Sequence, residues 1–157
     1  MIFVTVGTSS WDFTRLIKKM DYLAGEIDEE VIMQIGPNKY KPTIAEFFRI
    51  TTDEEIERLF ENARIIVSHA GVGSVMRALR HNKPIIVIPR AEKYGEHFDD
   101  HQIEMAAALE KDGIVKVVWD ICEIKKALKD SDLYPTTRRD KKLVLALREY
   151  INGLDRK

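Results

Sequence analysis

The residues able to do chemistry crowd into one stretch, RIIVSHAGVGSVMRALRHNKPIIVIPRAEKYGEHFDDHQ, residues 64–102. An apolar β-branched run at residues 65–67 ends in Ser68, His69, Ala70, Gly71, Val72, Gly73 and Ser74, after which Val75, Ala78 and Leu79 recur at helical spacing. A strand that passes through glycines into a helix presents unpaired amides and the positive end of the helix dipole, and glycine lets an anion come close to the backbone. Phosphate binding is the chemistry this arrangement suits. Asn82, Lys83 and Pro84 stop the helix, residues 84–89 read as a second buried strand, and a polar loop follows with Arg90, Glu92, Glu96, His97, Asp99, Asp100, His101 and Gln102.

A second unit of the same kind opens the chain. Residues 2–6 form a β-branched and aromatic run that ends in Gly7, Thr8, Ser9 and Ser10; Asp12 is placed to cap a helix carrying Phe13, Leu16, Ile17 and Met20. Each feature also has a plainer explanation. A strand–Gly–Ser turn is a common connector, His69 suits a tight turn satisfied by backbone groups, Ser74 suits a helix cap, and Asp99 or Asp100 suits a capping carboxylate. No Walker A lysine loop and no GxSxG elbow occurs.

These groups must be positioned by alternating strands and helices. Further strands are expected at residues 31–35, 47–51 and 114–118, and further helices after Thr52, from Gln102 to Gly113, and at residues 121–128. A break at Tyr134 and Pro135 precedes a final helix with Leu143, Leu147, Tyr150 and Ile151. The alternation predicts an α/β fold, a doubly wound, mostly parallel Rossmann-like sheet, as one domain over residues 1–157. Open sheets of that kind bind ligands at the carboxyl ends of their strands, where both glycine loops would lie.

Composition narrows the function. A formal net charge of −1 provides no bulk field for nucleic acid, and the single Cys122 excludes an internal disulfide framework and a thiolate zinc site. No apolar run approaches the roughly 20 residues of a membrane span, and no signal peptide is read at the start. The expected location is cytoplasmic, with any membrane contact peripheral and made through a partner.

The motifs HAGVGS (69–74), KPIIVIPR (83–90) and GEHFDDHQ (95–102), with the opening MIFVTVGTSS, resemble glycosyltransferase family 28, specifically its C-terminal, donor-binding half of the GT-B fold. Within that family the likeness is to small subunits of split enzymes: the cytosolic subunit of the dolichol-linked UDP-GlcNAc transferase and, more closely, bacterial exopolysaccharide subunits of the PssE type. The resemblance covers the chain to about Gly113. It implies an inverting transferase that uses a UDP-sugar as donor substrate, without metal or other cofactor. It also implies a membrane-anchored acceptor-binding partner of the PssD type and a lipid-linked saccharide acceptor. Gly7, Thr8, Ser9, His69, Gly71, Gly73 and Ser74 are then expected at the donor diphosphate, and Arg90, Glu96, His97, Asp100, His101 and Gln102 at its sugar or nucleoside. Carboxylate and amide suit vicinal diols, since they accept from and donate to hydroxyls. His69 and His97 are the catalytic candidates, and no general base stands out.

Galactose, glucuronate and GlcNAc all remain open as the sugar, and Arg90 would pair well with a glucuronate carboxylate. Where many relatives carry a carboxylate after the glycine loop this chain has Arg77, expected to face solvent or a partner chain. A non-catalytic nucleotide-sugar-binding regulator and a generic phosphate-binding α/β domain are the alternatives. The basic cluster Arg138, Arg139, Lys141 and Lys142 is either a solvated helix start or a contact for the partner or anionic lipid.

Overall fold

The structure, a computed structural model, describes residues 1–131; the expected final helix and the 138–142 basic cluster lie outside the described residues. Among the described residues six strands form: β1 Ile2–Thr5, β2 Val31–Gln34, β3 Glu46–Phe48, β4 Ile65–Ser68, β5 Ile85–Val87 and β6 Lys116–Val117. All pair in parallel in the order β3-β2-β1-β4-β5-β6. That order runs outward in both directions from β1 and β4, so the chain reverses its winding between those two strands. A crevice opens at their carboxyl ends, the switch point of a doubly wound sheet.

Strands covered on both faces need apolar side chains on both, and every residue of β1, β4 and β5 is buried. Alternate residues feed two cores. On one face Ile2, Val4, Ile65, Val67 and Ile86 pack against Phe13, Leu16, Ile17, Met20 and Leu23 from α1 (Thr14–Ala24) and its approach, and against α5 (Ile124–Lys129). On the other, Phe3, Ile66, Ile85 and Val87 meet α2 (Asp53–Asn62), α3 (Val72–Arg80) and α4 (His101–Lys111). Phe3 stacks on Phe48 with ring centroids 6.4 Å apart and meets Phe60 edge-on at 5.3 Å.

Several local expectations shift by a few residues for visible reasons. The third strand ends at Phe48 rather than continuing to residue 51, because Arg49 turns back to donate to Gly36 O (2.7 Å) and Asn38 O (2.8 Å). Helix α1 starts at Thr14, and Asp12 is not its cap. The Phe13 amide donates to Asn38 Oδ1, and Asp12 Oδ1 accepts from the Thr14 hydroxyl at 2.8 Å. Helix α3 is capped by Gly71, which places Ser74 inside its first turn. In α4 the buried residues are Met105, Ala106 and Leu109, while Ala107 is exposed. Thr52 and Asp120 cap the helical turns that follow them: Thr52 accepts from the Glu55 amide and Asp120 from the Cys122 amide. Gly113 follows the α4 helix with a φ of 62°, a left-handed stop.

The loop from β2 to β3 contains no helix and is held instead by one buried carboxylate. Asp21 of α1, 2 % exposed, accepts from the Tyr40 hydroxyl (2.7 Å) and from the amides of Thr43 (2.9 Å), Ile44 (2.9 Å) and Ala45 (3.0 Å). Gly36, with φ of 54°, starts this loop so close to the first glycine loop that a Cβ on it would lie 2.5 Å from Gly7 O.

Candidate functional site

The switch point is occupied by both glycine loops. A cavity of about 470 Å³ opens there, lined by Gly7, Thr8 and Ser9 from the first loop and His69, Gly71, Gly73 and Ser74 from the second. The parallel register of β1 and β4, with Thr5 opposite Ser68, brings the two loops out of the sheet side by side. All seven residues expected at a diphosphate thus line one space.

His69 is the hinge of this arrangement. Its ring lies between two glycines: a Cβ on Gly7 would stand 2.9 Å from His69 Cε1, and one on Gly71 2.2 Å from Nε2. Glycine is required at Gly7 twice over, since its φ of 70° is also left-handed. Burial and then the nearby Arg90 guanidinium push the imidazole down to about 4, with a hydrogen bond to the Thr5 backbone opposing them. His69 is therefore neutral at pH 7, and it lines the cavity with its single N–H given to the Thr5 backbone. The amides at the start of α3 and its dipole complete an anion-receptive surface.

The depressed His69 value has a sign that can be checked. The unfolded chain takes up the histidine proton near pH 6.5 while the folded chain refuses it until about 4, so the associated stability is fully present above pH 6.5 and drains away as pH falls to 4. Urea unfolding between pH 4 and 7 should show this slope in the wild type and a flatter one in His69→Gln. Equal slopes would refute the burial account of His69.

Sequence reasoning missed the other half of the lining: Thr5, Gln34, Ile50, Thr51, Asp53, Ile56, Phe60 and Arg77. Thr5 and Gln34 were detectable as polar residues closing otherwise apolar strands. The Thr5 hydroxyl donates to Gln34 Oε1 at 2.6 Å and accepts from the Gly7 amide at 3.1 Å, fixing the first loop. Arg77, expected to face solvent or a partner chain, is 30 % exposed and leans on α2, with Nη2 3.0 Å from Asp53 Oδ1 and Nε 2.9 Å from Glu57 Oε1, and it lines the cavity. Carboxylates from the neighbouring helix α2 thus stand beside this arginine.

The six residues expected on the sugar side do not line this cavity. Arg90 and Glu96 are buried inside the protein, against the expectation that they present polar groups to a ligand. Arg15 takes both Glu96 oxygens, at 2.8 and 2.9 Å, and the Ala91 amide also donates to this carboxylate. That satisfied geometry makes Glu96 a clamp between α1 and the loop before α4. Arg90 donates to Val6 O at 2.9 Å and is 0 % exposed, which rules out the expected pairing with a glucuronate carboxylate across an open subsite.

The remaining four stay near the surface. Asp100 Oδ1 accepts from the Glu92 amide at 2.9 Å, and Gln102 Oε1 accepts from the Arg90 amide at 3.2 Å, which commits the acceptor end of that side chain. Asp99 bridges two imidazoles, 2.8 Å from His97 Nδ1 and 2.5 Å from His101 Nδ1. Next to it His97 stacks on Phe98 (4.5 Å) and faces Trp11 (6.1 Å), so an aromatic surface continues from the first glycine loop.

Residues 1–147 match the pattern of the glycosyltransferase family 28 C-terminal domain. Curated relatives named UDP-N-acetylglucosamine transferase subunit ALG13 are similar. The one from Cryptococcus neoformans is 35 % identical over 116 residues, covering 68 % of this chain and 55 % of the relative. The one from Homo sapiens is 31 % identical over 122 residues, covering 71 % and 10 %. The chain therefore spans about half, or far less, of the length of these relatives. Among solved structures, the NMR structure of ALG13 superposes with a TM-score of 0.58 at 19 % identity, covering 86 % of this chain and 88 % of that one. The calicheamicin glycosyltransferase CalG4 superposes at 0.61 and 14 % identity, covering 95 % and 37 %. These two likenesses bear on the fold: an α/β Rossmann-like sheet of the kind found in such transferases.

Proposed function

This chain belongs to the glycosyltransferase family 28 C-terminal domain family, and from that premise we propose that it is the donor-binding subunit of an inverting glycosyltransferase that uses a UDP-sugar. The observation that carries the reading is the meeting of two glycine loops around His69 at the switch point, with the first turn of α3 lining the same cavity. As the bond between the sugar C1 and the phosphate oxygen breaks, negative charge grows on the departing UDP. Amides of Thr8, Gly73 and Ser74, already fixed by the fold, stabilise that charge without reorganising. Neutral His69, packed against both loops, holds them at a fixed spacing without adding charge of its own.

The acceptor hydroxyl and the base that takes its proton are assigned to a second, membrane-anchored subunit acting on a lipid-linked saccharide. The word subunit in the names of the curated relatives supports a partner, and their stated sugar favours N-acetylglucosamine over galactose or glucuronate. Among the described residues no helix is long and apolar enough to cross a membrane, which suits attachment through that partner.

Calorimetry with UDP, ADP and GDP, followed by transfer from radiolabelled UDP-N-acetylglucosamine to a lipid acceptor with and without the co-expressed membrane subunit, tests the reading. Selective UDP binding by the lone chain and transfer only with the partner are expected. Binding without transfer in any combination would favour a regulatory sensor, and indifference to uridine nucleotides would remove both.

A further inference from the structure

Arg90 is the largest fully buried side chain among the described residues. It leaves the end of β5 and runs beneath the ends of the neighbouring strands, where Nη2 meets Val6 O at 2.9 Å and the guanidinium lies 5.2 Å from the centre of the Phe13 ring. Its Nε and Nη1 have no hydrogen-bond partner among the described residues. The buried carboxylate nearby, Glu96, is already taken by Arg15 through both oxygens, and Asp12 acts on Arg90 only at longer range. Among the described residues Arg90 thus has no carboxylate in hydrogen-bond contact, Glu96 and Asp12 acting on it only through space, and a buried cation without a direct partner is unfavourable unless something else supplies the counter-charge.

The Arg90 guanidinium sits against Val6, one residue before Gly7, and close enough to His69 to act on its ionisation. Both Gly7 and His69 line the cavity. We propose that Arg90 is a positioning residue of the anion site, an internal counter-charge for the diphosphate that acts through the Val6–Gly7 backbone and the His69 ring rather than by contact. The inference rests on the UDP-sugar reading above.

A field from a fixed charge in a low-dielectric interior is weakly screened, so the bound diphosphate gains from Arg90 across the intervening loop. The same charge keeps a second proton off His69, alongside burial and His97 from the loop before α4, with the Thr5 backbone opposing and Ser68 Oγ 3.4 Å from Nδ1. Arg90 therefore costs the empty protein stability and returns it on ligand binding.

The test uses the full chain and compares wild type with Arg90→Met, Arg90→Gln and Arg90→Lys. UDP, uridine and inorganic pyrophosphate are titrated by calorimetry, and thermal midpoints are measured without ligand. Loss of the charge in the Met and Gln variants should weaken UDP and pyrophosphate about ten-fold or more, leave uridine unchanged, and leave the ligand-free midpoint equal or higher. The Lys variant, which keeps the charge, should bind UDP within about three-fold of wild type. Wild-type UDP affinity in the Met variant, or a Lys variant as weak as Met, would overturn the proposal. So would failure of both uncharged variants to fold, because Arg90 would then be a folding requirement. A wild type that binds pyrophosphate in an Arg90-dependent manner but ignores UDP would refute the UDP-sugar reading and leave the counter-charge standing; one that binds neither refutes both.

Discussion

Gly71→Ala will lose about a hundred-fold in affinity for UDP while the protein still folds. The new methyl would lie 2.2 Å from His69 Nε2, 2.8 Å from Cε1 and 2.9 Å from Cδ2, so the ring has to move. It has little room to do so, because Gly7 already packs closely against its other side. The displaced ring either enters the cavity or pushes the first loop away from the second, and each outcome separates amides that must reach one diphosphate together. Overpacking of this kind costs about 2 kcal/mol of stability, which thermal unfolding will register separately from the affinity. Gly73→Ala isolates the cause. Its methyl meets no atom of the protein within 4 Å, so its stability should equal or slightly exceed wild type, as alanine favours a helix. Near-wild-type UDP affinity in Gly71→Ala would mean that the two loops do not act jointly on the ligand.

Asp21→Asn should destabilise the protein by about 3 kcal/mol, lowering the thermal midpoint by about 10 °C. The Asp21 carboxylate receives donors on both oxygens. Oδ1 takes the Ile44 and Ala45 amides, and Oδ2 takes the Thr43 amide and the hydroxyls of Thr43 and Tyr40. An amide NH2 in place of one oxygen faces those donors with another donor. The carboxylate also makes a pH signature. Burial works to raise its pKa and is outweighed by hydrogen bonds from Ala45, Thr43, Tyr40 and Ile44, which hold it at about 2. Stability from Asp21 is thus complete above the unfolded value near 4 and disappears as pH falls to 2. The His69 contribution is lost at higher pH, between 6.5 and 4, so the two groups can be told apart in one acid titration. An Asp21→Asn protein with an unchanged midpoint would show that the β2–β3 loop is held by other contacts. Because that loop begins at Gly36, against Gly7 O, the variant should also weaken UDP binding before it unfolds.

Much of this protein is local in origin. Apolar β-branched runs end in glycine at residues 6–7 and in the 65–71 stretch, helical spacing follows each, and a parallel sheet is the arrangement that buries such strands on both faces. From those patterns the α/β class follows, and together with the family resemblance of HAGVGS and the opening MIFVTVGTSS they lead to Gly7, Thr8, Ser9, His69, Gly71, Gly73 and Ser74 as candidates for one phosphate-binding edge. Short-range spacing does not reveal which way a loop side chain turns. Glu96 faces inward because Arg15, 81 positions earlier, waits there; Arg90 is drawn under the sheet end by Val6, 84 positions earlier. Arg77 turns to the cavity because α2 brings Asp53 and Glu57 against α3. A charged group settles where its desolvation is best offset, and for these three the offsetting partners lie at distances along the chain that only the folded arrangement brings together.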